Sequence, residues 1–67
     1  MRDPHSRLIR LLRMVEYIRK NPGVKAQELA DKFGVSIRTV FRDLELLSVA
    51  VPLVKDDGWG TGYRIVE

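Results

Sequence analysis

Leu8, Leu11, Leu12, Val15 and Ile18 recur at intervals of three and four, with Arg7, Arg10, Arg13 and Lys20 between them. That spacing predicts a helix over about 6–20 with one apolar stripe turned toward a core. Asn21-Pro22-Gly23 ends it, because proline disfavours helical backbone in the residue before it and glycine accepts a left-handed turn. A second window, 25–33, places Ala26, Leu29, Ala30 and Phe33 on one face, and Gly34 stands where a helix stop is needed. Ser36 then offers a hydroxyl that can cap a third helix, 36–48, striped by Val40, Leu44 and Leu47.

Beyond the third helix the period falls to two. Val51, Leu53 and Lys55 alternate with Pro52, Val54 and Asp56, and Tyr63 and Ile65 alternate with Arg64 and Val66. Two strands are predicted, about 51–56 and 63–66, with the glycine-rich Asp57-Gly58-Trp59-Gly60-Thr61-Gly62 reversing the chain between them. An isolated two-stranded hairpin is marginal in water, so this one must pack on the helices. The predicted fold is mainly α: a three-helix bundle with a two-stranded β-hairpin, one domain over residues 1–67.

Composition narrows the function. The 67 residues are 45% hydrophobic and 31% charged, the balance of a small globular domain rather than a disordered tail. A chain this short builds a core of small helices but no deep substrate cavity. Without Cys, and with His5 as its one histidine, it lacks disulfides, a catalytic thiol and a zinc shell. No catalytic residue, metal or cofactor is expected: carboxylates are not clustered, and no nucleophile stands beside a base. His5 and Tyr17 read as an exposed terminal residue and an ordinary amphipathic-helix residue. Apolar runs never exceed four residues, against the roughly 20 that a membrane helix requires, so a soluble cytoplasmic protein is expected.

Net charge is +3, and it is unevenly spread. Residues 1–20 carry Arg2, Arg7, Arg10, Arg13, Arg19 and Lys20 against Asp3 and Glu16, whereas the remainder is slightly acidic. A basic surface facing an acidic partner must therefore come from the first helix and a few well-aimed cations elsewhere.

Those cations are found on the third helix. Gly34, Val35 and Ser36 join the second and third helices as a helix-turn-helix, with Leu29, Ala30, Phe33, Val35, Val40 and Leu44 at its apolar positions. At about 100° per residue, Arg38 and Arg42 point about 150–170° away from the mean direction of Val40, Leu44 and Leu47. Two arginines on successive turns of an exposed face suit base edges in a major groove, where arginine pairs with guanine O6 and N7. The alternative is a solvated face with Arg42 paired to Glu45 or Arg38 to a neighbour.

Ser36 and Thr39 lie near the helix start, where phosphate contacts are common, and capping accounts equally well for Ser36. Ile37 is expected in the core, with a thymine methyl as its alternative, and Phe41 fits either role. Asp43 has no core role in this reading and is expected in an intramolecular ion pair. In the hairpin, Lys55 and Arg64 are the cations, and Trp59 stands at a glycine-flanked tip that offers little core to bury an indole.

The run Glu28-Leu29-Ala30 through Val35-Ser36-Ile37-Arg38-Thr39-Val40-Phe41-Arg42-Asp43-Leu44, followed by Gly60-Thr61-Gly62-Tyr63-Arg64-Ile65, resembles the N-terminal winged helix-turn-helix of DeoR-like bacterial transcription factors. The nearest variety is the group with a WYL effector domain downstream. The resemblance covers nearly the whole chain. It implies sequence-specific binding of double-stranded operator DNA, with Ser36, Arg38, Thr39 and Arg42 in recognition-helix positions and the hairpin as wing on the backbone or in a minor groove, Lys55 and Arg64 being the wing's cations and Trp59 either packing back or touching DNA. Three departures stand out: Lys25 where a capping Thr or Ser is common, Ala50 where Gly is, and an end at Glu67 where the WYL group continues into a sensor and dimerisation region. The chain is expected to be a fragment of such a regulator, the alternative being a free-standing small one. Because the core leaves no spare apolar face, the isolated domain is expected to be monomeric and the full-length regulator a homodimer through a region absent here. The rival reading is a winged helix that docks on an acidic protein.

Overall fold

A computed structural model describes residues 4–56 and 62–66, with the backbone alone at Pro4, His5 and Asp56. Trp59, the hairpin reversal and the His5 side chain thus lie outside the described residues. Three helices, α1 (Pro4–Lys20), α2 (Ala26–Phe33) and α3 (Ile37–Ala50), are followed by β1 (Leu53–Asp56) and β2 (Gly62–Ile65), paired antiparallel. This is a winged helix. The strands are shorter than the alternation predicts at their outer ends. Val51 still caps α3, donating its N–H to the Leu47 carbonyl, and Val66 donates to the Pro52 carbonyl at 2.9 Å just beyond the ladder.

Each helix end in the turn has a local cause. Lys25 has no side-chain acceptor, so α2 starts instead with the Glu28 carboxylate reaching back to accept from the Lys25 N–H at 3.0 Å. Gly34 takes a left-handed conformation (φ 65°) and donates to the Ala30 carbonyl, which stops α2. Ser36 Oγ accepts from the Thr39 N–H at 3.1 Å and starts α3.

The core consists of Met14 and Ile18 from α1, Val24 from the following loop, Ala26, Leu29 and Ala30 from α2, and Val40, Leu44 and Leu47 from α3. Here α1 departs from expectation. Met14 is fully buried, whereas Leu8 and Leu12 are 53% and 62% exposed. The helix is rotated so that Met14 and Ile18 face inward, and Leu8 and Leu12 lie roughly 100–140° round from them. The rotation also brings Arg10 to Asp43 of α3. With Ile9, the displaced leucines leave an apolar strip on the outside of α1, so the premise that no apolar face is left over is wrong. Tyr17 has a specific partner, meeting Phe33 edge-on with ring centroids 6.2 Å apart.

The hairpin is tied to the helices by a rung that alternation alone does not reveal. Tyr63 pairs with Lys55 on one side and, on the other, exchanges hydrogen bonds with the α1–α2 loop: Gly23 N–H to Tyr63 O at 2.8 Å and Tyr63 N–H to Val24 O at 2.7 Å. Gly62 makes this possible, because a β-carbon there would collide with the backbone of Gly23.

Candidate nucleic-acid interface

Because α3 buries Val40, Asp43, Leu44 and Leu47, its opposite side is turned to solvent. Arg38 and Arg42 project there as the spacing predicts, and neither forms an ion pair among the described residues, Glu45 included. Between this side of α3 and the hairpin runs an open groove of about 450 Å³, lined by Arg38, Phe41, Arg42 and Ser48 from the helix and by Lys55 and Tyr63 from the strands.

Strand register separates the two hairpin cations. Lys55 stands opposite Tyr63, and Leu53 opposite Ile65, on the face that turns toward α3. Arg64 pairs with Val54; Val54 reaches the groove at its edge, whereas Arg64 does not line it. The fold therefore brings Arg38, Phe41, Arg42 and Lys55 together and leaves Arg64 apart.

At the α3 N-terminus, Ser36 and Thr39 are engaged with each other. Besides accepting from the Thr39 amide, the Ser36 hydroxyl donates to Thr39 Oγ1 at 3.1 Å, so capping is established for Ser36. Ile37 is 39% exposed rather than a core residue, because Val40 and Leu44, one and two turns on, already fill the space beneath α3. Phe41 stays 49% exposed, a large ring held open beside two arginines.

Asp43 forms the expected ion pair but does so fully buried, which corrects the view that it has no place in the core. Arg10 donates to it twice, Nε to Oδ2 at 2.7 Å and a terminal nitrogen to Oδ1 at 3.2 Å, and Arg7 Nε lies 3.8 Å from Oδ1. These hydrogen bonds, with the attraction of the carboxylate, raise the Arg10 pKa above its ordinary value against the opposing effect of burial. The signal was available in the sequence: about 100° per residue places Asp43 at the edge of the Val40–Leu44–Leu47 arc. Tyr63 and Ser48, also in the groove, carried no comparable signal, since only tertiary packing sets the hairpin against α3.

Fold and groove together define a winged helix-turn-helix whose second motif helix offers a cationic, partly apolar face. Residues 6–53 match the family described as the PafC helix-turn-helix domain, and the chain belongs to that family. It is also 44% identical over 62 residues to a protein of Bacillus subtilis (strain 168) named "Uncharacterized HTH-type transcriptional regulator YobV", an alignment covering 91% of this chain and 20% of that protein. The chain thus spans about a fifth of that relative's length. No solved structure matches it.

Proposed function

We infer that the chain binds double-stranded DNA sequence-specifically, as the DNA-binding part of a bacterial transcriptional regulator of the DeoR-like, WYL-containing kind. In this reading α3 enters the major groove, Arg38 and Arg42 address base edges, and Ile37 and Phe41 offer apolar contact to thymine methyls. Ser36 and Thr39 lie at the phosphates near the helix start. Lys55, Trp59 and Arg64 are the wing residues that meet the backbone or an adjacent minor groove.

One observation carries the reading: Arg38 and Arg42 stand exposed and without an ion-pair partner among the described residues, opposite the buried side of the second helix in a helix-turn-helix. Arginines spent on stabilising a helix surface would be paired with Glu45 or another near carboxylate. The relative's name as a transcriptional regulator supports the regulatory half.

The test is selection of binding sites from a random duplex pool, followed by anisotropy titration between 50 and 200 mM salt. The expected outcome is a preferred sequence and affinity that falls with salt by about 0.9 log units per log unit for each of three to six phosphates engaged. Failure to enrich any sequence, with salt-independent binding, would overturn it in favour of docking on an acidic protein.

A further inference from the structure

A second depression flanks α3 on the side away from the hairpin. It measures about 410 Å³ and is lined by Arg42, Glu45, Leu46 and Val49 of α3 and by Arg7 of α1. Arg42 and Glu45 line this depression and the hairpin groove alike, so they form the ridge between the two. On the helical wheel Phe41 and Ser48 fall roughly 100–120° to one side of Arg42, and Leu46 falls about 40° to the other.

A helix lying in a major groove has a sugar–phosphate strand on each flank, about 12 Å apart across the groove. On the hairpin flank Lys55 is available to one strand. On the other flank, among the described residues, Arg7 is the α1 cation that lines the depression. Arg7 is 54% exposed, and Arg10 already occupies both Asp43 oxygens at 2.7 and 3.2 Å, which leaves Arg7 only a 3.8 Å approach to one of them. Asp43 thus anchors α1 through Arg10 while Arg7 stays beside the exposed ridge.

We propose that Arg7 is a DNA-backbone contact, clamping the phosphate strand on the flank of α3 opposite the wing. The proposal rests on the DNA-binding reading above and adds a residue and a strand to it. It gives one cation of the basic first helix, Arg7, a part in the interface.

Arg7→Ala, Arg7→Lys and Arg13→Ala are compared by anisotropy on the selected duplex and on a random duplex, from 50 to 200 mM salt. Arg13 lines a different depression with Tyr17 and Lys32, so its removal controls for the loss of one net charge. Arg7→Ala is expected to weaken both duplexes by the same factor, about three- to tenfold, and to reduce the salt slope by about 0.9; Arg7→Lys should keep the slope. Thermal unfolding of each variant monitors folding, and Arg7→Gln replaces Arg7→Ala if the latter melts early. A slope for Arg7→Ala equal to that of Arg13→Ala would overturn the proposal and leave the DNA reading intact. Absence of duplex binding by the unaltered chain would remove both.

Discussion

Arg10 and Asp43, 33 residues apart, are joined by a two-pronged hydrogen bond that fixes α1 against α3. The carboxylate is fully buried, so it depends on this partner for its charge to be tolerated. Removing one member of a buried pair typically costs about 3–5 kcal/mol, whereas replacing both with apolar groups of similar size is often neutral. Arg10→Met should therefore destabilise by about 3 kcal/mol, near the low end because Arg10 keeps some contact with water, and Arg10→Met with Asp43→Leu should recover most of the loss. Urea unfolding checks this, and additive losses in the double variant would show that the pair is not coupled. Since the pairing raises the Arg10 pKa, its stabilisation is present in full below the ordinary arginine value and is lost only as pH rises through the raised one. The arginine half therefore brings no pH dependence to neutral solution.

Two glycines separate steric need from conformational need. Gly34 has φ of 65° but open space around its α-carbon, so Gly34→Ala should cost about 1 kcal/mol for left-handed backbone. At Gly62 an added β-carbon would meet the Gly23 backbone, and the Tyr63–Val24 rung would have to move. Gly62→Ala is expected to cost more than Gly34→Ala and to expose the Tyr63 amide to faster hydrogen exchange. Equal losses at the two positions would refute the close-approach argument.

Periodicity located every element, because each was written in contrasts of apolar and polar residues that depend only on local geometry. The reversal of Gly34, Val35 and Ser36 and the outward aim of Arg38 and Arg42 were legible for the same reason. The phase of α1 was not legible, since Leu8, Leu12, Met14 and Ile18 offer two overlapping apolar arcs. What decides between them is Asp43, on another helix. Register set the separation of Lys55 from Arg64, and the bridge from Tyr63 to Val24 required knowing which loop the strand would meet.

The chosen phase makes a direct forecast for α1. Met14→Ala empties a buried site and should cost about 2–5 kcal/mol, while Leu12→Gln removes little buried surface and should stay within about 0.5 kcal/mol. Chemical denaturation of the two variants decides it, and reversal of that order would restore the stripe through Leu8 and Leu12.

Ser36 connects stability to the proposed interface. Its hydroxyl holds the Thr39 amide at the start of α3, so Ser36→Ala should cost about 1 kcal/mol and Ser36→Asp, which keeps a capping acceptor, much less. On DNA the order should change, because an added carboxylate at the helix start repels phosphate: Ser36→Asp should bind more weakly than Ser36→Ala. Matching orders in unfolding and in anisotropy would mean that this helix end lies away from the phosphates.

The sharpest separation concerns Arg38 and Arg42 against Lys55. Arg38 and Arg42 are four residues apart on the exposed side of α3, and Lys55 faces the same groove from β1. An arginine that reads guanine does so through a planar fork, which lysine lacks while carrying the same charge. Arg38→Lys or Arg42→Lys should therefore lower affinity for the preferred site by about 1–3 kcal/mol, relax the preference at one base pair, and leave binding to random duplex nearly unchanged. Lys55→Ala should weaken selected and random duplexes by the same factor and reduce the salt slope by about 0.9. The measurement is the ratio of specific to random affinity for each variant at fixed salt. If both arginine variants keep the ratio of the unaltered chain, Arg38 and Arg42 hold phosphates only, and sequence must be read by the half-exposed Ile37 and Phe41 on the same helix.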